Sequence, residues 1–346
     1  MKNLKKVAIF LGLIFLSLVA FYFIKQPSYS IKTEGTLYVV NKVSKSVVVF
    51  DLFEGKQIKE LPIEIEPHEA TTLTNPNRVI VTNYGTPDEG GNSVTVINAD
   101  TNTIDKTISI GNSLRPHGII SLPQNKVAVV TDTGNDLSIV NVDKGVLEKQ
   151  ISTEQDLSHL LVKHPFKPII YVANINSGSV SVIDVELDSV VKIISFKTKA
   201  EGIDITKDGS EIWVTNIEEN IISVINTETY KITNRIDTGK EPLRLKFSID
   251  GNYCLVSNSG DGTISVYDSK TKKQVTNISI PGKKNIVEKV LYRTPRPVGI
   301  LMHPNGLYAF VSNFTASRVE VIDMQNFTIV SSIKVGKMPD GLAFVN

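Results

Sequence analysis

Three of the five histidines in this 346-residue chain stand at one position of a recurring segment. The copies read Pro67-His68-Glu69-Ala70, Pro116-His117-Gly118-Ile119 and Ser158-His159-Leu160-Leu161; four more carry Glu201, Leu243, Val298 and Asp340 at the matching place. A neutral imidazole offers a ring nitrogen to a metal or a proton. His68, His117 and His159, flanked by the carboxylates of Glu201 and Asp340, would suit a divalent metal such as zinc, copper or iron, and could activate a bound water. The alternatives are a polar surface that bonds only water and backbone, or contact with an organic ligand without a metal. The other two histidines, in His164-Pro165 and His303-Pro304, read as turn residues.

The elements that must position these residues are strands. Asn41, Asn83, Asp132, Asn174, Asn216, Asn258 and Asn313 each end a short β-branched strand such as Ile169-Ile-Tyr-Val-Ala-Asn174, at spacings of 42, 49, 42, 42, 42 and 55. A second strand follows each, as in Ser181-Val-Ser-Val-Ile-Asp184, with the period-2 alternation of a sheet. A third comes after it, and a fourth precedes the Asn strand. A fixed period of this size is the signature of a propeller, in which one blade is a four-stranded sheet. The Asn and Asp residues recur in every unit and read as turn caps bonding their own backbone. Trp213, where other copies have Tyr or Phe, reads as core between blades.

Tyr-Val-x-Asn, then x-Val-x-Val-Ile-Asp, then Val-Gly-x-x-Pro-x-Gly-Leu resembles the YVTN repeat of seven-bladed β-propellers, over about residues 35 to 346. The resemblance implies an all-β, seven-bladed propeller of four-stranded antiparallel blades. Propellers of this broad kind serve as surface-layer proteins, as lactone-type hydrolases and lyases, and as metal- or haem-bearing reductases of nitrogen oxides; fold alone does not choose among them. The chain ends on Met338-Pro-Asp-Gly-Leu-Ala-Phe-Val-Asn346, which matches an innermost strand, while the first unit lacks one. The C-terminal strand is therefore expected to complete the N-terminal blade and close the ring.

In such a ring the innermost strands line a channel and their starts converge at one mouth. The expected order there is Asp340, His68, His117, His159, Glu201. Two insertions, residues 84–93 and 281–297, account for the longer spacings and should lie on the same rim, where loops carry function. Arg115, Arg244 and Arg296 fall near it and could bind a carboxylate or phosphate; Arg293 lies in the same insertion.

Residues 1–30 stand apart as a signal-anchor or transmembrane segment, before a propeller over 31–346. Lys2, Lys5 and Lys6 precede an uncharged run from Val7 to Ile24, long enough to span a bilayer, which leaves the propeller outside the cytoplasm. Cleavage as a signal, after which the propeller is secreted, is the alternative. A net charge of +1 gives no electrostatic case for nucleic acid. The single Cys254 sits in an apolar strand and forms no disulfide within the chain. Nucleophile-elbow, P-loop, His-Glu-x-x-His and Cys-x-x-Cys-His patterns are missing from the sequence. The leading expectation is a binding platform at the cell envelope. It would recognise a ligand or partner protein through the rim of His68, His117, His159 and the two insertions. The alternative is a metal-dependent enzyme of lactonase or lyase type.

Overall fold

The structure, a computed structural model, describes residues 28–282 and 295–346, with Gly12 alone before them. It is an all-β ring of seven four-stranded antiparallel sheets. Blade 1 takes its inner strand, Pro339–Val345, from the C-terminus and its other three, Thr36–Asn41, Ser46–Asp51 and Lys56–Pro62, from the N-terminal end. Leu37 pairs with Phe344 and Val39 with Leu342, so the ends of the propeller are joined by a hydrogen-bonded ladder and leave no open edge. The inner strands of blades 2 to 7 are Pro67–Thr74, Pro116–Leu122, Ser158–Lys163, Ala200–Ile205, Pro242–Phe247 and Pro297–Met302.

Each second strand is covered on both faces by neighbouring blades, which is why Ile169–Asn174 reads as an almost continuous apolar run. Three residues before the Asn stand Tyr38, Tyr171, Trp213 and Phe310, all buried. Trp213 packs edge-on to Phe247 of the next blade at 5.1 Å between ring centres, and its indole N–H donates to Glu211 Oε2 at 3.1 Å. Outer strands such as Ser189–Ser195 expose most of their residues.

The strand-end Asn residues are not turn caps, contrary to the expectation above. Asn174 Nδ2 donates to Ser179 Oγ (3.1 Å) and Ser181 Oγ (3.0 Å) on the next strand, and Asn258 reaches Thr263 and Ser265 in the same way. They are fully buried, and a buried amide needs side-chain partners that a solvent-facing turn would not supply. Turn capping falls to the residue closing each second strand: Asp51 Oδ1 accepts the amides of Phe53 and Glu54, and Asp184, Asn226 and Asp268 repeat the arrangement. Blade 7 departs from the pattern, since Glu320 stands where blades 4 to 6 have Ser181, Ser223 and Ser265. Its Oε1 accepts from Asn313 at 3.1 Å, and burial raises its pKa.

The expected segment boundary at residue 30 falls inside ordered packing. Tyr29 lies 4.9 Å from the Phe50 ring and donates its hydroxyl to the Leu52 carbonyl, and the Ser30 amide donates to Ser331 Oγ at 2.9 Å. Residues 28–30 thus tie blade 1 to blade 7. The apolar run 7–24 lies, apart from Gly12, outside the described residues, as do 283–294 of the second insertion. Among the described residues no helix is long and apolar enough to cross a membrane.

Deleting residues 339–346 is expected to abolish cooperative unfolding and make the chain protease-sensitive; an unchanged melting temperature would contradict the closure. Glu320→Gln should stabilise the fold, more so at pH 8 than at pH 5. A buried acid that holds its proton more tightly folded than unfolded loses stability as pH rises through its folded pKa, and the amide removes that loss. Thermal unfolding at the two pH values checks this.

Candidate functional site

A backbone irregularity sits at the start of every inner strand, between Pro67 and Ala70, Pro116 and Ile119, Ser158 and Leu160, and at the matching place in the other blades. A bulge releases residues from the ladder and re-aims their side chains. The Thr or Ser preceding the strand-end Asn takes up the freed amide: Glu69 N donates to Thr82 Oγ1 (2.9 Å), Gly202 N to Thr215 Oγ1 (2.7 Å) and Arg244 N to Ser257 Oγ (3.0 Å). Adjacent inner strands close up where the third residue is glycine. A Cβ on Gly118 would stand 2.7 Å from the His159 carbonyl oxygen, and one on Gly341 would stand 2.6 Å from that of His68.

The approach at Gly118 brings the His117 ring against that of His159. The His68 and His117 ring centres are 4.0 Å apart, and those of His117 and His159 are 3.5 Å apart. Asp340 precedes them in the ring and Glu201 follows. His117 Nδ1 lies 3.1 Å from the His159 carbonyl, which can only accept, so Nδ1 carries the hydrogen and Nε2 presents its lone pair. That Nε2 is buried and has no hydrogen-bond partner among the described residues. His159 is held at both nitrogens, Nδ1 by Asp132 Oδ1 (3.0 Å) and Nε2 by Glu201 Oε1 (3.2 Å). His68 Nδ1 is 3.2 Å from Asp340 Oδ2, within ion-pair range but without the alignment of a hydrogen bond.

These contacts divide the three rings electrically. Burial, reinforced by the positive charges of His159, Lys42 and Arg244, holds both His68 and His117 well below the ordinary histidine range. Burial also opposes charge on His159, but Glu201 and Asp132 together outweigh it and raise its pKa to about 10. Glu201 likewise overcomes its burial through His159 and Arg244 and falls to about 2. Asp340 is pushed up to about 7 by burial and by the charge of Glu69. At neutral pH the row is therefore two neutral imidazoles beside one imidazolium.

Arg244 forms the floor. Its Nη1 donates to Glu201 at 2.7 Å, and its Nη2 crosses the channel from blade 6 to Glu69 of blade 2 at 3.1 Å. Above it lies a cavity of about 220 Å³ walled by the histidines, Glu201, Asp340, Lys42 and a group of apolar side chains. Below it a second cavity of about 380 Å³ runs down the channel, lined largely by apolar residues such as Ile119, Leu161, Leu245 and Leu301. Two sets of donor atoms fall within 4.8 Å of one another, His68–Glu69–His117 and His117–Asp132–His159. Each contains two of the three imidazoles.

The family model for the seven-bladed β-propeller lactonase matches residues 16–279. The chain belongs to this family. Among solved structures, hydrazine synthase of Kuenenia stuttgartiensis is similar at TM-score 0.69 and 17% identity, over 85% of this chain and 97% of that one. A functionally unknown protein of Desulfotomaculum acetoxidans is similar at TM-score 0.74 and 13% identity, over 90% and 99% respectively. At such identities the likeness shows the fold alone. No curated protein matches the chain. The family shown is the lactonase propeller; the finer YVTN resemblance stays a likeness of repeat motifs.

Within this lactonase-family propeller the structure brings His68, His117, His159, Glu201, Arg244 and Asp340 to one cavity, with Arg296 at its edge. Arg296 pairs there with Glu241 at 3.3 Å. Arg115 lies further out: its guanidinium covers the Tyr84 ring at 5.3 Å and donates to the Pro87 carbonyl at 3.0 Å. The insertion at 84–93 is mostly strand, since Asn77–Gly85 and Gly90–Asn98 extend through it and leave a turn at 86–89. It carries Tyr84, 5.0 Å from His68 and 5.6 Å from His117 by ring centres, with its hydroxyl on Asp132 Oδ2 at 2.9 Å.

Asp132, Glu69, Tyr84 and Lys42 are site residues that sequence reasoning missed. Two carried a signal. Asp132 is the one acid in a series of Asn, and Glu69, like Arg244, occupies a place that is Gly118, Gly202, Gly299 and Gly341 in four other blades and Leu160 in the fifth.

Glu201→Gln is expected to flatten the pH dependence of stability between pH 7 and 10. His159, raised when folded, contributes stability fully below its unfolded pKa of about 6.5 and loses it as pH rises through about 10. Without the Glu201 carboxylate that folded pKa falls and the loss comes at lower pH. Unfolding midpoints across this range check it.

Proposed function

We propose that this protein is a binding propeller that takes a small organic ligand into the His-lined mouth of its channel, on the extracytoplasmic side of a membrane. The observation that carries the reading is the buried, unpartnered Nε2 of His117 beside a cavity of about 220 Å³. A buried acceptor left unsatisfied costs about 1–3 kcal/mol, and folded proteins rarely leave one unless something else completes it. The paired charges around it, His159 with Asp132 and Glu201, and Arg244 with Glu201 and Glu69, hold the wall rigid. The turn at 86–89 and Arg115 stand on the same rim and would meet a partner protein or the outer part of the ligand. The extracytoplasmic side rests on Lys2, Lys5 and Lys6 before the uncharged run 7–24, which would anchor the chain in the membrane.

A second reading is an enzyme of lactonase or lyase type, for which the donor set His68–Glu69–His117 would be the place to hold a metal. His68, His117 and Glu69 would hold a divalent zinc, copper or iron ion, which would polarise a carbonyl or lower the pKa of a bound water. His159 fits such an ion poorly, because both of its nitrogens already face carboxylates and it carries a proton.

Two measurements on the full-length chain and its His117→Ala variant separate the readings. Elemental analysis is expected to find metal well below one per chain in both. A fragment screen by NMR is expected to yield ligands that bind the variant at least about tenfold more weakly, as loss of a buried hydrogen bond implies. Near-stoichiometric metal that disappears in the variant would transfer the site to the enzyme reading.

A further inference from the structure

On the face opposite the mouth, three turns break the repeat, each toward a large apolar side chain. Phe53 of blade 1 stands where every other blade has a charged residue or Gln, and Leu187 of blade 4 where every other blade has Thr, Lys, Glu or Asn. Phe166, also of blade 4, replaces the residue that caps the same turn in blades 5 to 7: Asp208 accepts the Ser210 amide (3.0 Å), Asp250 that of Asn252 (3.0 Å) and Asn305 that of Leu307 (2.9 Å). In blade 4 that cap passes to His164, whose Nδ1 accepts the amides of Phe166 and Lys167, both at 3.1 Å. The three rings and chains project into solvent, 53%, 68% and 76% exposed for Phe53, Leu187 and Phe166. A single exposed apolar residue needs no explanation, but departures from a polar repeat position, all on one face, do.

The chain entering the propeller crosses this same face. Ser28 and Ser30 bond to Ser331 and Val330 on the outer strand of blade 7, Tyr29 lies on Leu52, and Thr33 reaches the turn of His303 and Asn305. Only residues 25–27 separate Ser28 from the end of the apolar run at Ile24, a reach of at most about 14 Å. With that run in a bilayer, the edge between blades 7 and 1 stands at its surface. A tether at one edge leaves a disc free to tilt. Phe53 lies beside the tether, and blade 4, with Phe166 and Leu187, lies directly across the ring from it. The turns of blade 4 carry charges of both signs, Lys163 and Lys167 with Glu186 and Asp188, so the contact is apolar and calls for no anionic lipid.

We propose that the propeller lies face-down on the bilayer, with Phe53 at the tethered edge and Phe166 and Leu187 at the far edge seated among the lipid headgroups, so that the mouth opens away from the membrane. This rests on the membrane-anchor reading above and adds the orientation and the surface that sets it.

The full-length chain in phosphatidylcholine vesicles tests it. Cys254 is buried, so a cysteine introduced at the surface takes a fluorescent label alone. A lipid with a nitroxide at headgroup depth should quench labels at Phe53→Cys and Leu187→Cys at least about threefold more than labels at Val43→Cys and Leu114→Cys on the mouth side, since a strand length of roughly 20 Å separates the two faces. Phe166→Asp with Leu187→Thr, which restores the repeat, should keep the unfolding temperature yet relieve most of the quenching of a label at Glu186→Cys. Equal quenching on the two faces, or quenching at Phe53→Cys alone, would overturn the orientation and leave Phe166 and Leu187 to a protein partner. Failure of the chain to float with the vesicles would overturn the anchor reading and this orientation with it.

Discussion

Arg244 is the side chain on which the mouth depends. It is buried, it leaves its own blade, and it joins Glu201 on one wall to Glu69 on the opposite one. Glu201 in turn holds His159, and His159 with Asp132 holds Tyr84. Charges taken this far from water persist only when paired, and unpairing one typically costs about 3–5 kcal/mol. The network therefore keeps the mouth in one arrangement. It also forms a floor between the cavity at the mouth and the one further down the channel, both of which it lines.

The repeated backbone is what lets a few substitutions make a site. Every blade presents its second inner-strand residue at the mouth by the same irregular start, so chemistry is changed by changing residue type without changing geometry. Where the next residue is Gly, neighbouring strands approach closely and the preceding side chains touch, as His117 does His159. Where it is Glu69 or Arg244, a charged chain enters the channel instead. The charge state of each imidazole follows from its neighbours more than from its type. His117 and His159 occupy equivalent positions, yet one is held neutral and the other protonated, because only His159 has carboxylates at both nitrogens.

Much of this was legible in the sequence. The regular spacing of the strand-end Asn series and the β-branched alternation fixed blade number and strand order, because a period-2 pattern that repeats at blade length has few other folds open to it. The unmatched C-terminal strand announced the closure seen between Leu37 and Phe344. The arc from Asp340 to Glu201 was legible too, since equivalent positions in a closed ring must be neighbours. The role of the Asn series was misread, because burial between blades, which decides whether an amide caps a turn or bridges strands, leaves no mark on the local motif.

By itself, then, the chain's sequence determined the ring, its closure and which residues share the mouth, since these follow from periodicity. Only the tertiary structure decided how wide the mouth is, and so whether the imidazoles stack, face a common ion or stand apart. Width depends on the approach of strands from different blades at Gly118 and Gly341. It also decided that Asp132, Glu69 and Tyr84 join the site, and that Arg115 stands outside it. Those are contacts between residues remote in sequence, set by side-chain length and direction, and a linear pattern does not encode direction across a channel.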